Sequence, residues 1–469
     1  MNILNLKNQS IICNSDRVFS NEDGSITAFC DCNLHNSTQI KELLEKKHKF
    51  QTEGDCETPI HLYENFGLNF VEKLKGNFSI VINDRKKKRI LLIRDRIGEK
   101  PLYYSFDNNK LRFASSLKSF FLHNKIETGK KMIYTFLLRG FFPRKETILP
   151  HVKKVLPGSM LIFDRGVRSI RYWNPKTTRK KESILSYKYE LESLLKEIIK
   201  DFTITRNCFG IALSGGLDSA VITCIVSQLT NCKTFYMYFN ENNMELLNRY
   251  YSKLVAKYFN TEHEEIFVDL DDFLKSFPIT VSLMCEPVHE IDLSCIYSVM
   301  KKIDKKAKCI FTGWGADYLF SKSKDKIYTK IINVKNKLSE ALCFHHKVSR
   351  YLSKEFLFPY FDHRIIEFSV NIPDELKTKN GIDKYLLRKT FQNRLPKEII
   401  AKKSHGTGIP ETWRKELINM YEDEILNSKI LRKYFNVYLL KKILSSQNKN
   451  HAINLIILNT WLKSIDYEK

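Results

Sequence analysis

Cysteine pairs at metal-binding or redox spacing are missing from this sequence. Its 11 cysteines are scattered without a Cys-x-x-Cys set, and the closest two, Cys30 and Cys32 in Cys-Asp-Cys, have a poor spacing for a structural zinc site. Free thiols are the expectation, so neither a disulfide framework nor a metal cluster should organise the fold. Also absent is a basic start followed by a long apolar run, and no later stretch approaches the length needed to cross a bilayer. No membrane span is expected, and the default location is cytoplasmic. Acidic residues are few beside basic ones, 53 against 77, for a net charge of +24. That excess fits nucleic acid, an acidic peptide partner or a lysine-rich bias. Basic residues such as Lys86-Lys87-Lys88-Arg89 and Lys301-Lys302 are dispersed, and no RNA- or DNA-binding module is recognisable. The charge is therefore read as solvated surface, with no nucleic-acid partner. There are no internal repeats and no long disordered tract.

What is present is enough chain for two or three domains: 469 residues with 43% hydrophobic content. The first third reads as short strands broken by turns. Phe78–Ile82 and Arg89–Ile93 are apolar runs separated by the charged turn Asn83-Asp84-Arg85-Lys86-Lys87-Lys88, which is hairpin grammar. The same grammar continues through Pro157–Asp164 to Tyr172-Trp173. A polar basic segment, Asn174 to Lys181, then interrupts it, and a boundary is placed there, between a domain over 1–175 and a second over 183–469. Beyond it, Leu191, Leu194, Leu195, Ile198 and Ile199 recur at helical spacing. Strands at Phe209–Leu213 and Thr234–Phe239 then alternate with helices, the signature of a parallel sheet that binds ligands beyond the carboxyl ends of its strands. From about Lys322 the pattern is mostly helical, ending in an apolar helix that carries Ile453, Leu455, Ile456, Ile457, Leu458, Trp461 and Leu462.

One strand end stands out: Leu213-Ser214-Gly215-Gly216-Leu217-Asp218-Ser219. A strand that runs into a glycine turn and a helix N-terminus presents free N–H groups and a positive dipole end, which suits a phosphate or pyrophosphate. The stretch lacks the lysine of GxxxxGK[ST] and the spacing of GxGxxG, so a generic nucleotide fold is the weaker reading. The serines and glycines are suited to cradle a pyrophosphate while Asp218 binds magnesium. A plain glycine turn before a buried helix is the alternative from this segment alone.

The loop resembles that of ATP enzymes that adenylate a substrate and release pyrophosphate, and the resemblance extends over nearly the full chain to the asparagine synthetase family. That family includes β-lactam synthetases and lasso-peptide macrolactam synthetases. Leu74-Lys75-Gly76-Asn77-Phe78, Arg94-Asp95-Arg96-Ile97-Gly98-Glu99-Lys100-Pro101-Leu102-Tyr103-Tyr104, Phe113–Ser116 and Leu156-Pro157-Gly158 are similar to motifs of its first domain, in order. Ser214–Ser219, Thr312–Phe320, Glu355–Asp362, Gly381–Arg388, Leu395-Pro396 and Ile409-Pro410 continue the series. The implied fold is an α+β N-terminal-nucleophile-like domain with antiparallel sheets, in degenerate form. An α/β adenine-nucleotide α-hydrolase-like domain with a parallel sheet and a helical C-terminal region follows it. The implied ligands are ATP and Mg2+. Leu213, Ser214, Gly215, Gly216, Asp218, Ser219 and Gly313 are the nucleotide-binding candidates, and Asp218 and Asp317 the metal candidates. Glu355 is the candidate general base for the incoming amine, and Tyr351, four residues earlier, a candidate to relay or orient its proton.

Three departures from the family shape the expected function. The sequence begins Met1-Asn2, and Thr52-Glu53-Gly54-Asp55-Cys56-Glu57 matches a family stretch that normally lies further along. The nucleophile-bearing segment and the glycine-containing oxyanion segment are both missing, with Cys30-Asp31-Cys32 near the latter's place. Thioester chemistry then has no mechanism, and glutamine hydrolysis is not expected. Tyr318 stands where ammonia-using members usually carry a glutamate. Around the family's catalytic lysine, Ser404 falls in register and Lys403 one residue early, so Lys403 is chosen over Lys402. The expected activity is adenylation of a carboxylate and amide formation with an amine already on the substrate, most of all closure of a lasso-type peptide macrolactam, in antibiotic-type biosynthesis. A peptide or small-molecule carboxylate is the expected substrate and a leader peptidase the possible partner. Amidation of aspartate or another acid with ammonia, and a nucleotide-binding scaffold without turnover, are the alternatives.

Overall fold

The computed structural model describes residues 2–5, 11–12, 18–121, 128–177, 182–204, 206–239, 243–303, 306–321, 335–403 and 408–466. The N-terminal part is built on two antiparallel sheets. One has six strands in the spatial order Val167–Arg171, Ser159–Phe163, Arg89–Arg94, Gly76–Asp84, Ile26–Leu34 and Val18–Ser20. The other has five, in the order Ile11–Ile12, Asn2–Asn5, Lys110–Ala114, Tyr103–Asp107 and Lys153–Lys154. The hairpin expected around the charged turn is present, with Asp84 paired to Arg89. Period-two alternation decides what each face covers. Val81, Leu92 and Leu161 face Leu111 and Phe113 of the second sheet in one apolar layer. Their neighbours Ile80, Ile82, Leu91 and Ile93 pack with Ile60, Tyr63 and Phe70 of the helical cover.

The second half centres on five parallel strands in the order Glu262–Phe267, Cys232–Tyr238, Phe209–Ala212, Cys309–Thr312 and Glu355–Leu357. The first strand in sequence thus lies in the middle, flanked on both sides by later ones. This order creates a crevice at the carboxyl ends where the chain leaves in opposite directions. The helix Ile184–Ile204 buries Leu191, Leu195, Ile198 and Ile199 against the sheet, as its spacing requires. The fold class expected from the sequence is met in both halves.

The two halves share a core. Phe136, Phe142 and Leu149, all before the expected boundary, are packed in one cluster with Ile453, Ile457 and Trp461 of the last helix, Lys449–Asp466. Buried polar links reinforce the seam. Lys154 pairs with Glu286 and Glu340, the latter at 3.2 Å, all three side chains being almost fully buried. Burial and the adjacent Glu340 push Glu286 well above the usual carboxyl range, so the trio holds one ammonium, one carboxylate and one carboxylic acid. Arg94, also buried, donates to the carbonyls of Gly98 and Lys100 and to Cys343 Sγ across the seam. Among the described residues no helix is long and apolar enough to cross a membrane.

Candidate active site

The glycine loop lies at the carboxyl end of the central strand, beyond Ala212, and leads into the helix Leu217–Leu229. Gly215 has φ +70°, and a Cβ there would stand 2.2 Å from the Asn248 carbonyl oxygen, so only glycine lets the neighbouring helix approach. Ser219 Oγ closes the loop on itself: it accepts from the Ser214 amide at 3.2 Å and donates to the Gly216 carbonyl at 3.2 Å. Gly216, the residue before the helix, offers no side-chain cap, leaving first-turn N–H groups for a ligand. Leu213 is buried beneath the loop, its amide held by the Phe235 carbonyl at 2.8 Å. Gly313 is placed against the backbone rather than in the loop mouth. A Cβ there would meet Ser219 N at 2.6 Å, so it lets the end of the next strand touch the first turn of the helix.

Three charges converge at this mouth. Lys384 Nζ lies 2.6 Å from Asp218 Oδ2 and 2.7 Å from Asp317 Oδ1. Lys384 is almost fully buried, whereas Asp317 is largely exposed. Asp218 Oδ1 is buried without a hydrogen-bond partner, an orphan acceptor of the kind a bound cation satisfies. Burial raises the Asp218 carboxyl to about 6 against the opposing pull of Lys384. The donor set, two carboxylates with one oxygen unspent beside a row of free N–H groups, fits a hard cation carrying a pyrophosphate. A fourth charge arrives from Lys402, whose Nζ donates to the Gly215 carbonyl at 2.8 Å and to Asn248 Oδ1. Burial lowers this ammonium to about 8. Arg388 donates to the Ile400 and Lys402 carbonyls and so ties the Lys402 segment to the helix that follows Lys384.

The remaining candidates lie elsewhere. Lys403 is exposed, and Ser404, the residue in the family's lysine register, lies outside the described residues. Glu355 is paired with Cys309 at the amino end of the parallel sheet. The strand Cys309–Thr312 separates that edge from Gly313 by about 13 Å. There Glu355 forms a two-point ion pair with Arg206 at 2.7 and 2.9 Å and accepts from Asn33 of the first half at 3.2 Å. Burial would raise its carboxyl, but the Arg206 guanidinium outweighs it and holds it below the usual range. Tyr351 is 60% exposed and lies against Tyr297, ring centroids 6.2 Å apart. The structure therefore joins Ser214, Gly215, Gly216, Asp218, Ser219 and Asp317 in one site and leaves Glu355 and Tyr351 outside it. Lys384 and Lys402 both stood within stretches read from the sequence, Lys384 in Gly381–Arg388 and Lys402 beside the chosen lysine, but only tertiary folding reveals their convergence.

At the amino edge a cleft of about 480 Å³ opens between the halves, lined by Asp31, Cys32, Asn33, Lys100, His346 and Glu355 among others. Lys100 Nζ sits 3.1 Å from Asp31 Oδ1 and within hydrogen-bond reach of His346. Burial holds the thiol of Cys32 well above the ordinary range, and contact with Cys32 does the same, foremost, for Cys56.

Two antiparallel sheets joined to a parallel-sheet domain, with a glycine loop facing paired aspartates, fit the class of ATP-dependent carbon–nitrogen ligases, and the family matches bear that class out. The sequence matches the glutamine amidotransferase domain over residues 9–173 and asparagine synthase over residues 190–326 and 328–463. It is 23% identical over 568 residues to asparagine synthetase [glutamine-hydrolyzing] 1 of Bacillus subtilis (strain 168), covering 97% of this chain and 88% of that protein. It is 26% identical over 395 residues to a putative asparagine synthetase [glutamine-hydrolyzing] 2 of Methanocaldococcus jannaschii, covering 80% of this chain and 72% of that one. Among solved structures, NMN synthetase from Francisella tularensis shares 14% identity over 61% of this chain and 96% of its own, with a TM-score of 0.29. The chain belongs to the asparagine synthase family.

Proposed function

We propose that this chain activates a carboxylate as its acyl adenylate, releasing pyrophosphate, and joins it to an amine that arrives on the substrate rather than from glutamine. The observation that carries the reading is the convergence of Asp218, Asp317, Lys384 and Lys402 on the mouth of the glycine loop. ATP with Mg2+, when bound, supplies the phosphorus electrophile and its charge neutralisation, the cation being held by Asp218 and Asp317. The chain's own part is electrostatic. Loop N–H groups bind the departing pyrophosphate oxygens, Lys402 sets a positive charge beside Gly215, and Lys384 keeps Asp218 ionised near neutral pH. Residues 1–175 serve as the amidotransferase-like half and 183–469 as the synthetase half.

Two features support the loss of glutamine hydrolysis. The strand position expected for oxyanion donors carries Asp31, a carboxylate engaged by Lys100, which would repel a developing oxyanion. The nearby thiols of Cys32 and Cys56 are held protonated and make poor nucleophiles. Tyr318, where ammonia-using family members usually carry a glutamate, packs on Phe361. The favoured substrate is a peptide whose side-chain carboxylate is closed onto its own N-terminal amine, a lasso-type macrolactam, made in the cytoplasm after a leader peptidase frees that amine. The test supplies ATP, Mg2+ and glutamine, 15N-ammonium or candidate peptides to the purified protein. Loss of one water from a peptide, with AMP and pyrophosphate released and no glutamate formed, is the expected outcome. Glutamate release, or 15N incorporation into aspartate, would overturn it.

A further inference from the structure

Far from the ATP loop, in the N-terminal half, three segments bring four ligating side chains to one point. Glu22 comes from the turn before the strand Ile26–Leu34, and His48 from the loop after the helix Ser37–Leu44. His61 and Glu64 lie three residues apart on the helix Thr58–Phe66, a spacing that puts both on one helix face. One ligand atom from each residue lies within 4.8 Å of the other three. His48 Nδ1 and His61 Nδ1 are 3.2 Å apart. Glu22 Oε1 stands 3.3 Å from the first and 3.9 Å from the second, and Glu64 Oε2 lies 3.7 Å from His48 Nδ1. Ligand atoms at zinc bond lengths, about 2.05 Å, sit about 3.3 Å apart at the corners of a tetrahedron. His48 Nδ1 already stands at that separation from both His61 Nδ1 and Glu22 Oε1, and the other edges are longer by about half an ångström or more.

The outer contact of His61 selects the tautomer such a centre needs. His61 Nε2 lies 3.3 Å from Glu57 Oε1. Glu57 is 1% exposed and is further fixed by the amides of Gln51 and Thr52. It can only accept, so the proton of His61 belongs on Nε2 and its Nδ1 is bare. His48 Nε2 meets the side-chain amide of Asn65, whose nitrogen also donates to the His61 carbonyl at 3.3 Å, so without a metal the His48 proton sits on Nδ1 and bridges to His61 Nδ1. A cation between the two Nδ1 atoms takes the place of that proton, which moves to His48 Nε2 as the Asn65 amide turns and gives up its bond to the His61 carbonyl. The carboxylates of Glu22 and Glu64 stand beside that position. Glu64 spends its other oxygen on the Asn21 amide at 3.0 Å, leaving Oε2 for the metal, and His61 is almost completely buried beneath the site.

We infer that Glu22, His48, His61 and Glu64 form a structural site for a divalent transition metal of borderline softness, zinc foremost, that staples the turn, loop and helix together. Two imidazoles with two carboxylates match that class, and four protein ligands leave no open position for catalysis. Nothing in the site requires the adenylation chemistry.

The test uses the full-length protein, stripped with a chelator and kept in excess Mg2+, titrated with Co2+ as a visible probe and then with Zn2+. A single equivalent should give the intense bands of tetrahedral Co2+, which Zn2+ then displaces. Zn2+ should also raise the melting temperature of the stripped protein. His48→Asn should abolish both effects, while Asp218→Ala should keep them, which separates this site from the ATP centre. Because a histidine variant can fail to fold, two gentler changes are read by affinity. Glu22→Gln alters only an exposed ligand, and Glu57→Gln, an orienting partner, should weaken Co2+ binding about 10- to 100-fold. Absence of tetrahedral bands in the stripped wild type, which would mean the two rings share a proton instead, overturns the assignment. So do bands that survive unchanged in folded His48→Asn and Glu22→Gln proteins.

Discussion

Replacing Lys384 with methionine removes the cation between Asp218 and Asp317 while keeping an unbranched apolar side chain one atom shorter. Asp218 then has a buried environment and a like charge beside it, with no ammonium at 2.6 Å to oppose them. An adjacent opposite charge lowers a carboxyl by about 1–3 units, so without it Asp218 moves from about 6 to about 7–9. At pH 7 the ionised share falls from about nine-tenths to between about one half and one hundredth. The assay is ATP–pyrophosphate exchange followed from pH 5 to pH 9.5 at limiting Mg2+ and ATP, so that the profile reports the metal-free enzyme. The wild type should lose exchange on the acid side near pH 6. In Lys384→Met that limb should move up by at least about one unit, whatever happens to the plateau. A folded variant whose acid limb stays near pH 6 would refute the argument, because Lys384 would then not be holding Asp218 ionised.

Other expectations concern single contacts. Since burial lowers Lys402 to about 8, exchange should decline above that pH as its ammonium is lost. Lys402→Arg, charged throughout, should remove the alkaline limb even if its maximum is lower. Gly313→Ala drives a methyl toward Ser219 N, 2.6 Å away. It should cost about 1–3 kcal/mol in urea unfolding and depress exchange together with stability. Lys154→Met leaves Glu286 and Glu340 facing each other in the shared core, and breaking such a buried set costs about 3–5 kcal/mol, read as a lower urea midpoint. Glu355→Gln, which loosens the pair with Arg206 at the opposite sheet edge, should leave exchange within about tenfold, a difference of about 1.4 kcal/mol. Loss of exchange in a folded Glu355→Gln protein would return Glu355 to the chemistry.

The parts of the site that were legible in the sequence are those written in consecutive residues. A strand, two glycines and a helix-opening aspartate announce an anion-binding turn because local backbone geometry demands those residue types, and the resemblance to the family narrowed that anion to pyrophosphate. Asp317 was legible only through the resemblance of Thr312–Phe320 to a family segment; it lies in the short helix Ala316–Phe320 that follows its strand. Lys384 was hidden because its role depends on a buried approach to two aspartates 166 and 67 residues earlier in the chain. Glu355 looked catalytic by motif, yet the register that pairs it with Cys309 is a tertiary fact, and that register moves it to the far edge of the sheet. Between Lys402 and Lys403 the sequence offers neighbours of identical chemistry, and only burial distinguishes them. Alternation and turns made the antiparallel and parallel sheet classes legible, and the expected boundary near 175 falls between the last strand of the one and the first strand of the other. It could not reveal that Phe136 and Trp461 share a core, since apolar residues carry no address for their partners. His48 and His61 follow no metal-binding spacing, so their meeting also waited on the fold.

The most direct test of the central claim is ATP–pyrophosphate exchange by the purified protein with a panel of peptide and free carboxylates, beside Asp218→Ala. The account predicts exchange that depends on a peptide carboxylate and is abolished in the variant. Exchange with free aspartate alone, or none with any carboxylate despite ATP binding, would contradict it.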